Sequence, residues 1–214
     1  AAAGVAAHLL GRAGNPRSGA AVAAALRRWW GEWDKGRQEE ARRGLVDGKL
    51  VGNLADPLAS IAWAAGRLGA AADTLITIAT TRADGTFDRP LRREAAAALA
   101  AIKPTKAVIA ALVGLATGDD PEICSLAADA VAVADTALAT ELAGRVLSDR
   151  VTFNRLASHA GVRVTDTLRG AAVQVHSQGV AVPHLVAQAD VQGLMAVAGN
   201  RGFSEEARLG AGEG

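Results

Sequence analysis

Three of the four tryptophans of this 214-residue chain fall within five positions, inside Arg27-Arg28-Trp29-Trp30-Gly31-Glu32-Trp33. Trp and Arg are enriched where proteins bind partners, because each joins a large contact surface to a polar or charged tip. The same pair can stack on a base or ribose. On a helix Trp29 and Trp33 share a face, and Trp30 sits about 100° from Trp29. Arg27, Arg28, Trp29, Trp30 and Trp33 are therefore the candidate partner-binding residues. A packing role competes with this reading: the rings would then cover the irregular segment 37–52 and plug a gap between helix pairs.

Other reactive side chains are sparse. The histidines at 8, 159, 176 and 184 have no metal-ligand spacing, and there is neither an HExxH nor a paired CxxC. The single cysteine, Cys124, sits among apolar neighbours in PEICSLAADAV and reads as a small core residue, and one cysteine cannot form an internal disulfide. The carboxylate pairs Glu39-Glu40, Asp119-Asp120 and Glu205-Glu206 read as helix-start residues, where negative charge complements the helix dipole. Phosphate-binding and dinucleotide-binding glycine motifs are absent. The expectation is a non-enzyme with no cofactor and no metal.

The elements that must carry these residues follow a repeat. The stretch around Leu91 to Asp119, LRREAAAALAAIKPTKAVIAALVGLATGD, pairs an Ala-rich helix with a short break and a second apolar helix, and variants of it recur along the chain. Overlaying the copies makes Leu10, Ala65, Leu99, Val131 and Val162 equivalent; the last three are 32 and 31 residues apart, one helix pair each. The expected repeats are 1–36, 53–87, 88–118, 119–149 and 150–179, with a degenerate stretch of two short helices over 180–200, a truncated copy at 203–214 and an insertion at 37–52. Asp56-Pro57, Asp88 with Pro90, and Asp120-Pro121 are expected caps for first helices. Breaks are expected at Gly14-Asn15-Pro16, Gly36, Pro104, Asp135-Thr136 and Thr165-Asp166.

Composition agrees with an all-α chain. Half of the residues are hydrophobic but only 3% are aromatic, with no Tyr, so Ala, Leu and Val must fill the interior. Small side chains let helix axes approach closely, and Ala is the best helix former. The formal net charge is +1, weak steering for nucleic acid, and no stretch is apolar for long enough to span a membrane. A cytoplasmic location is expected from the low cysteine content.

The segments LRREAAAALAAI, AAHLLGRAGNP and EEARLGAGEG share an Arg, a run of Ala and Leu, and a small residue before a break. This pattern resembles bacterial HEAT repeats. The resemblance implies a right-handed α-solenoid, or superhelix, of about five to six antiparallel helix pairs forming one repeat domain over 1–214. It further implies a scaffold that binds a protein or peptide partner along a concave face lined by the second helices. Some DNA-alkylation repair glycosylases are also built from HEAT-like repeats. That alternative fits less well, because the segments ITIATTRA, VIAALVGLATG and ATELAGRVLSD offer few cations for phosphates. Phycobilin lyases use such repeats too, and no residue here supports that role. Neither end carries a polar capping face, so the chain is expected to be a stretch of a longer repeat protein, able to associate weakly end to end.

Overall fold

The computed structural model describes residues 2–43, 52–81, 88–172 and 178–199. Among these residues there are twelve α-helices, one 3-10 turn at Pro16–Ser18, and no strand. In chain order the helices are α1 (Ala2–Ala13), α2 (Gly19–Arg42), α3 (Gly52–Arg67), α4 (Ala72–Thr80), α5 (Asp88–Ala101) and α6 (Lys106–Ala116). They continue with α7 (Pro121–Ala134), α8 (Thr136–Arg145), α9 (Arg150–Ala157), α10 (Val164–Ala172), α11 (Gln178–Ala187) and α12 (Val191–Gly199). The residues group into two compact units, 1–130 and 131–214, divided within α7.

Local chemistry explains several helix starts. Thr105 caps α6 by accepting from the Val108 amide at 3.3 Å, just after Pro104, where the sequence places a break. Asp135 caps α8, its carboxylate accepting from the amides of Ala137 and Leu138 at 3.0 Å each. Asp120, followed by Pro121, caps α7 through the amides of Glu122 and Ile123. Each cap satisfies amides that a helix start otherwise leaves unpaired. The two short helices expected over 180–200 are present as α11 and α12.

Three boundaries differ from the expected ones. Gly36 does not stop the second helix; α2 runs unbroken through Gly31 and Gly36 to Arg42. A glycine in a helix costs only about 1 kcal/mol, and α2 carries compensating side-chain pairs one turn apart. Asp34 binds Arg37 at 2.7 Å and Gln38 at 2.9 Å, and Glu39 binds Arg43 at 2.7 Å. Residues 37–42 of the expected insertion are thus the last turns of α2, and 44–51 lie outside the described residues. Secondly, α3 starts at Gly52, so Pro57 lies inside the helix and the Asp56-Pro57 position is no helix start. The helix persists across the proline because Leu58, Ile61 and Ala62 directly behind it are fully buried. Thirdly, the break between α9 and α10 falls at 158–163, with Gly161 at φ 91°, and Thr165-Asp166 belongs to the first turn of α10.

In the first unit, α1 packs on α3 and α3 on α5, while α2 packs on α3 and α4, and α4 on α5 and α6. The contacts of α3 with α1 and α5 are unusually close. A Cβ added at Gly66 would lie 2.6 Å from the Ala98 Cα and 2.9 Å from its carbonyl oxygen, and one at Gly11 would lie 2.6 Å from the Trp63 ring. Gly11 and Gly66 occupy equivalent positions in the overlay of the copies, and each opens a Gly-Arg-x-Gly helix end. The final glycines, Gly14 and Gly69, both adopt left-handed backbone, at φ 64° and 63°. The second unit packs α8 on α9 and α10, α10 on α11 and α12, and α11 on α12. There Gly144 provides the close approach, 2.9 Å from its added Cβ to the Thr167 methyl.

A paired substitution separates close packing from helix propensity. Gly66→Ala should destabilise the protein by about 1–3 kcal/mol, because the atom in its way is backbone that cannot rotate aside. Gly31→Ala, in α2 with open space around the added Cβ, should stabilise by about 0.5–1 kcal/mol. Urea unfolding midpoints of the two variants are expected to move in opposite directions.

Candidate functional site

The Trp–Arg cluster occupies the middle of α2, and the helix rotation divides it. Val22, Leu26 and Trp33 lie on one stripe and are buried, with Trp33 only 1% exposed. Trp33 is a core residue, which corrects its assignment as a partner anchor: its ring has no free surface to offer. Its indole N–H finds no acceptor among the described residues. Trp29 and Trp30 are half-buried, and Arg27 and Arg28 are exposed beside them. Arg28 is tied to Glu32 by a solvent-facing pair at 3.5 Å, while Arg27 makes no ion pair among the described residues. Consecutive helical positions point about 100° apart, so Arg27 shares a side of α2 with Trp30, three residues on, while Arg28 and Trp29 point to other sides and Trp33 leaves the set. Periodicity could not have found this, since Val22, Leu26, Trp29 and Trp33 all fall on one helical stripe, and only the fold covers Trp33 fully while leaving Trp29 half-buried.

A second cluster, unmarked in the sequence, forms where α5 meets the start of α7. Arg93 grips Asp120 with two hydrogen bonds, Nε at 3.1 Å and Nη2 at 3.2 Å, and its Nη1 lies 2.5 Å from Glu122. Arg89 adds a longer contact to Asp120 at 3.5 Å. Arg92 turns the other way, to the Ala79 carbonyl at 3.3 Å and to Asp119 at 3.4 Å. Burial alone would raise the Asp120 carboxyl. The Arg93 hydrogen bonds and charge, with the Ile123 and Glu122 amides, outweigh it and hold the group below its ordinary value. The same ion pair pushes the Arg93 guanidinium up.

Glu94, the neighbour of Arg93, is left out of this network. It is half-buried, makes no hydrogen bond or ion pair among the described residues, and burial raises its carboxyl above the usual 4.5. It lines a concavity of about 400 Å³ on α5 and α7. On the other side of the Arg93–Asp120 bridge, a concavity of about 240 Å³ is lined by Thr80, Arg92, Leu115 and Asp119.

The remaining reactive groups pack against neighbouring residues. Cys124 is buried and directs its thiol at the Gly118 carbonyl, 3.4 Å away. His8 stacks on Trp63 with ring centroids 4.7 Å apart, and His184 packs on Phe153 at 4.2 Å. Burial pushes the His184 ring below 6.5, against a hydrogen bond to the Leu147 backbone. His159 is half-buried, and His176 and Glu205-Glu206 lie outside the described residues. Glu39 and Glu40 stand in the last turns of α2 rather than at a helix start. Among the described residues no group of three His, Cys, Asp or Glu could hold a metal ion, and no helix is long and apolar enough to cross a membrane.

Comparison with known proteins gives no match: no family model fits the chain, and neither a curated protein nor a solved structure resembles it.

Glu94 leads to a prediction about pH. A carboxyl whose value is raised in the folded state destabilises that state once it ionises, so its penalty is present at neutral pH and vanishes in acid. Glu94→Gln should unfold at a higher urea concentration than the parent at pH 7. The gap should close as the pH falls through the range in which Glu94 takes up its proton. Urea midpoints measured from pH 7 down to pH 4 check both parts.

Proposed function

We propose that the chain is a non-catalytic protein-interaction scaffold of the HEAT-like, right-handed α-solenoid kind. On this reading it binds a protein or peptide partner through the second-helix side. The contact is centred on Arg27 and Trp30. Support for the architecture comes from the first unit, where first helices α1, α3 and α5 pack in series and second helices α2, α4 and α6 do likewise. The repeated Gly-Arg-x-Gly helix ends point the same way.

One observation carries the binding role: half-buried Trp30 lies one helical turn from exposed Arg27, for which no ion pair is found among the described residues. A ring anchored on one side and open on the other loses little side-chain entropy when a partner covers it. Arg27 adds a charge that no carboxylate among the described residues pairs with. A partner segment with an apolar residue next to an acidic one matches this surface.

Selection of a displayed peptide library against the immobilised protein tests the proposal. Peptides recovered should carry acidic and apolar residues together. Trp30→Ala and Arg27→Ala should each weaken their binding at least tenfold, as central contacts do, with circular dichroism unchanged. Recovered peptides that bind both variants as tightly as the parent would overturn it.

A further inference from the structure

We infer that the concavity between α5 and the first turns of α7 is a receptor for a basic side chain, the guanidinium or ammonium of an Arg or Lys presented by a peptide. This site lies on first helices, and the inference does not rest on the Trp–Arg edge of α2.

Charge decides the ligand class. The walls carry Glu94, Glu122 and Arg93, but Arg93 is already committed. Its three nitrogens serve Asp120 and Glu122. Among the described residues no cation pairs with Glu94. Its neighbours one helical turn away are Pro90, Leu91, Ala97 and Ala98, none of which can supply one. The α7 wall contributes a second carboxylate, Glu122, rather than a base. An anionic ligand would meet two carboxylates. A neutral one would bury Glu94 further without a partner, which is costly for an ionised group. A cation completes the set.

Shape agrees. The volume of about 400 Å³ lies near the lower end of ligand sites, which run from about 300 to 1,000 Å³, and suits one long side chain. Between the carboxylates the lining is apolar: Ala97 on α5, and Ile123 and Leu126 on α7. Arg and Lys carry an aliphatic stem behind the charge, so the stem can lie along these residues while the head reaches Glu94. The Arg93–Asp120 bridge fixes the wall. It ties α5 to the cap of α7, so the site is held in shape before a ligand arrives.

The test uses the full chain and two small probes, Nα-acetyl-arginine methylamide and its uncharged citrulline counterpart, followed by amide NMR shifts. The arginine probe should shift the amides of Glu94, Ala97, Ile123 and Leu126 in a saturable way. The citrulline probe should bind at least fivefold more weakly. Glu94→Gln should lose at least fivefold in affinity for the arginine probe while remaining folded, as its urea midpoint reports. Arg27→Ala should bind the probe like the parent. Equal binding of the two probes, unchanged affinity in Glu94→Gln, or no shifts at these four amides would each overturn the inference.

Discussion

The first unit is organised around the contact of Gly66 on α3 with Ala98 on α5, a crossing so close that no side chain fits between the two backbones. Chain composition and geometry meet at this point. A chain with three Phe, four Trp and no Tyr cannot fill a thick interior, so its helices must approach until Ala and Leu suffice to exclude water. Glycine at the crossing permits that approach, and Gly11 repeats the arrangement between α1 and α3. Fully buried Ala62, Ala64, Ala65, Ala95 and Ala96 line the same layers. A larger residue at Gly66 would not simply overfill a pocket; it would push one backbone off another.

Close packing leaves little room for buried charge, and buried Asp120 and half-buried Asp190 share one construction. Asp120 caps α7 and is gripped by Arg93; Asp190 caps α12, accepting from the Gly193 amide, and is gripped by Arg169 at 2.6 and 2.7 Å. In each case a carboxylate both completes a helix start and receives a planar, two-pronged guanidinium from another helix of the same unit. The Arg169 hydrogen bonds hold the Asp190 carboxyl below its ordinary value, as the Arg93 network does for Asp120. These pairs consume the arginines nearest the helix starts. Among the described residues this leaves Glu94, one residue from Arg93, without a counter-charge.

Sequence reasoning reached the features that are set locally. Asp120-Pro121, Asp135, Pro104 and Gly14 act within a few residues of themselves, and their roles are visible in the order of amino acids. The length of α2 was not legible, because whether Gly36 ends a helix depends on the Asp34–Arg37 and Glu39–Arg43 pairs around it. The division of the tryptophans was only partly legible: Trp29 and Trp33 both continue the stripe of Val22 and Leu26, and it is the fold that covers Trp33 fully and leaves Trp29 half-buried. The Arg93–Asp120 bridge joins residues 27 apart, and nothing in the spacing announces it. Glu94 is defined by what the bridge leaves over, so it could emerge only from the folded arrangement.

The close crossing itself can be observed in the unaltered protein. Nuclear Overhauser spectroscopy reads proton pairs across the α3–α5 interface directly. The account predicts strong cross-peaks from the two Gly66 α-protons to the α-proton and methyl group of Ala98. Their absence in a folded sample, with intrahelical cross-peaks intact, would contradict a glycine-set helix spacing and the layer arrangement built on it.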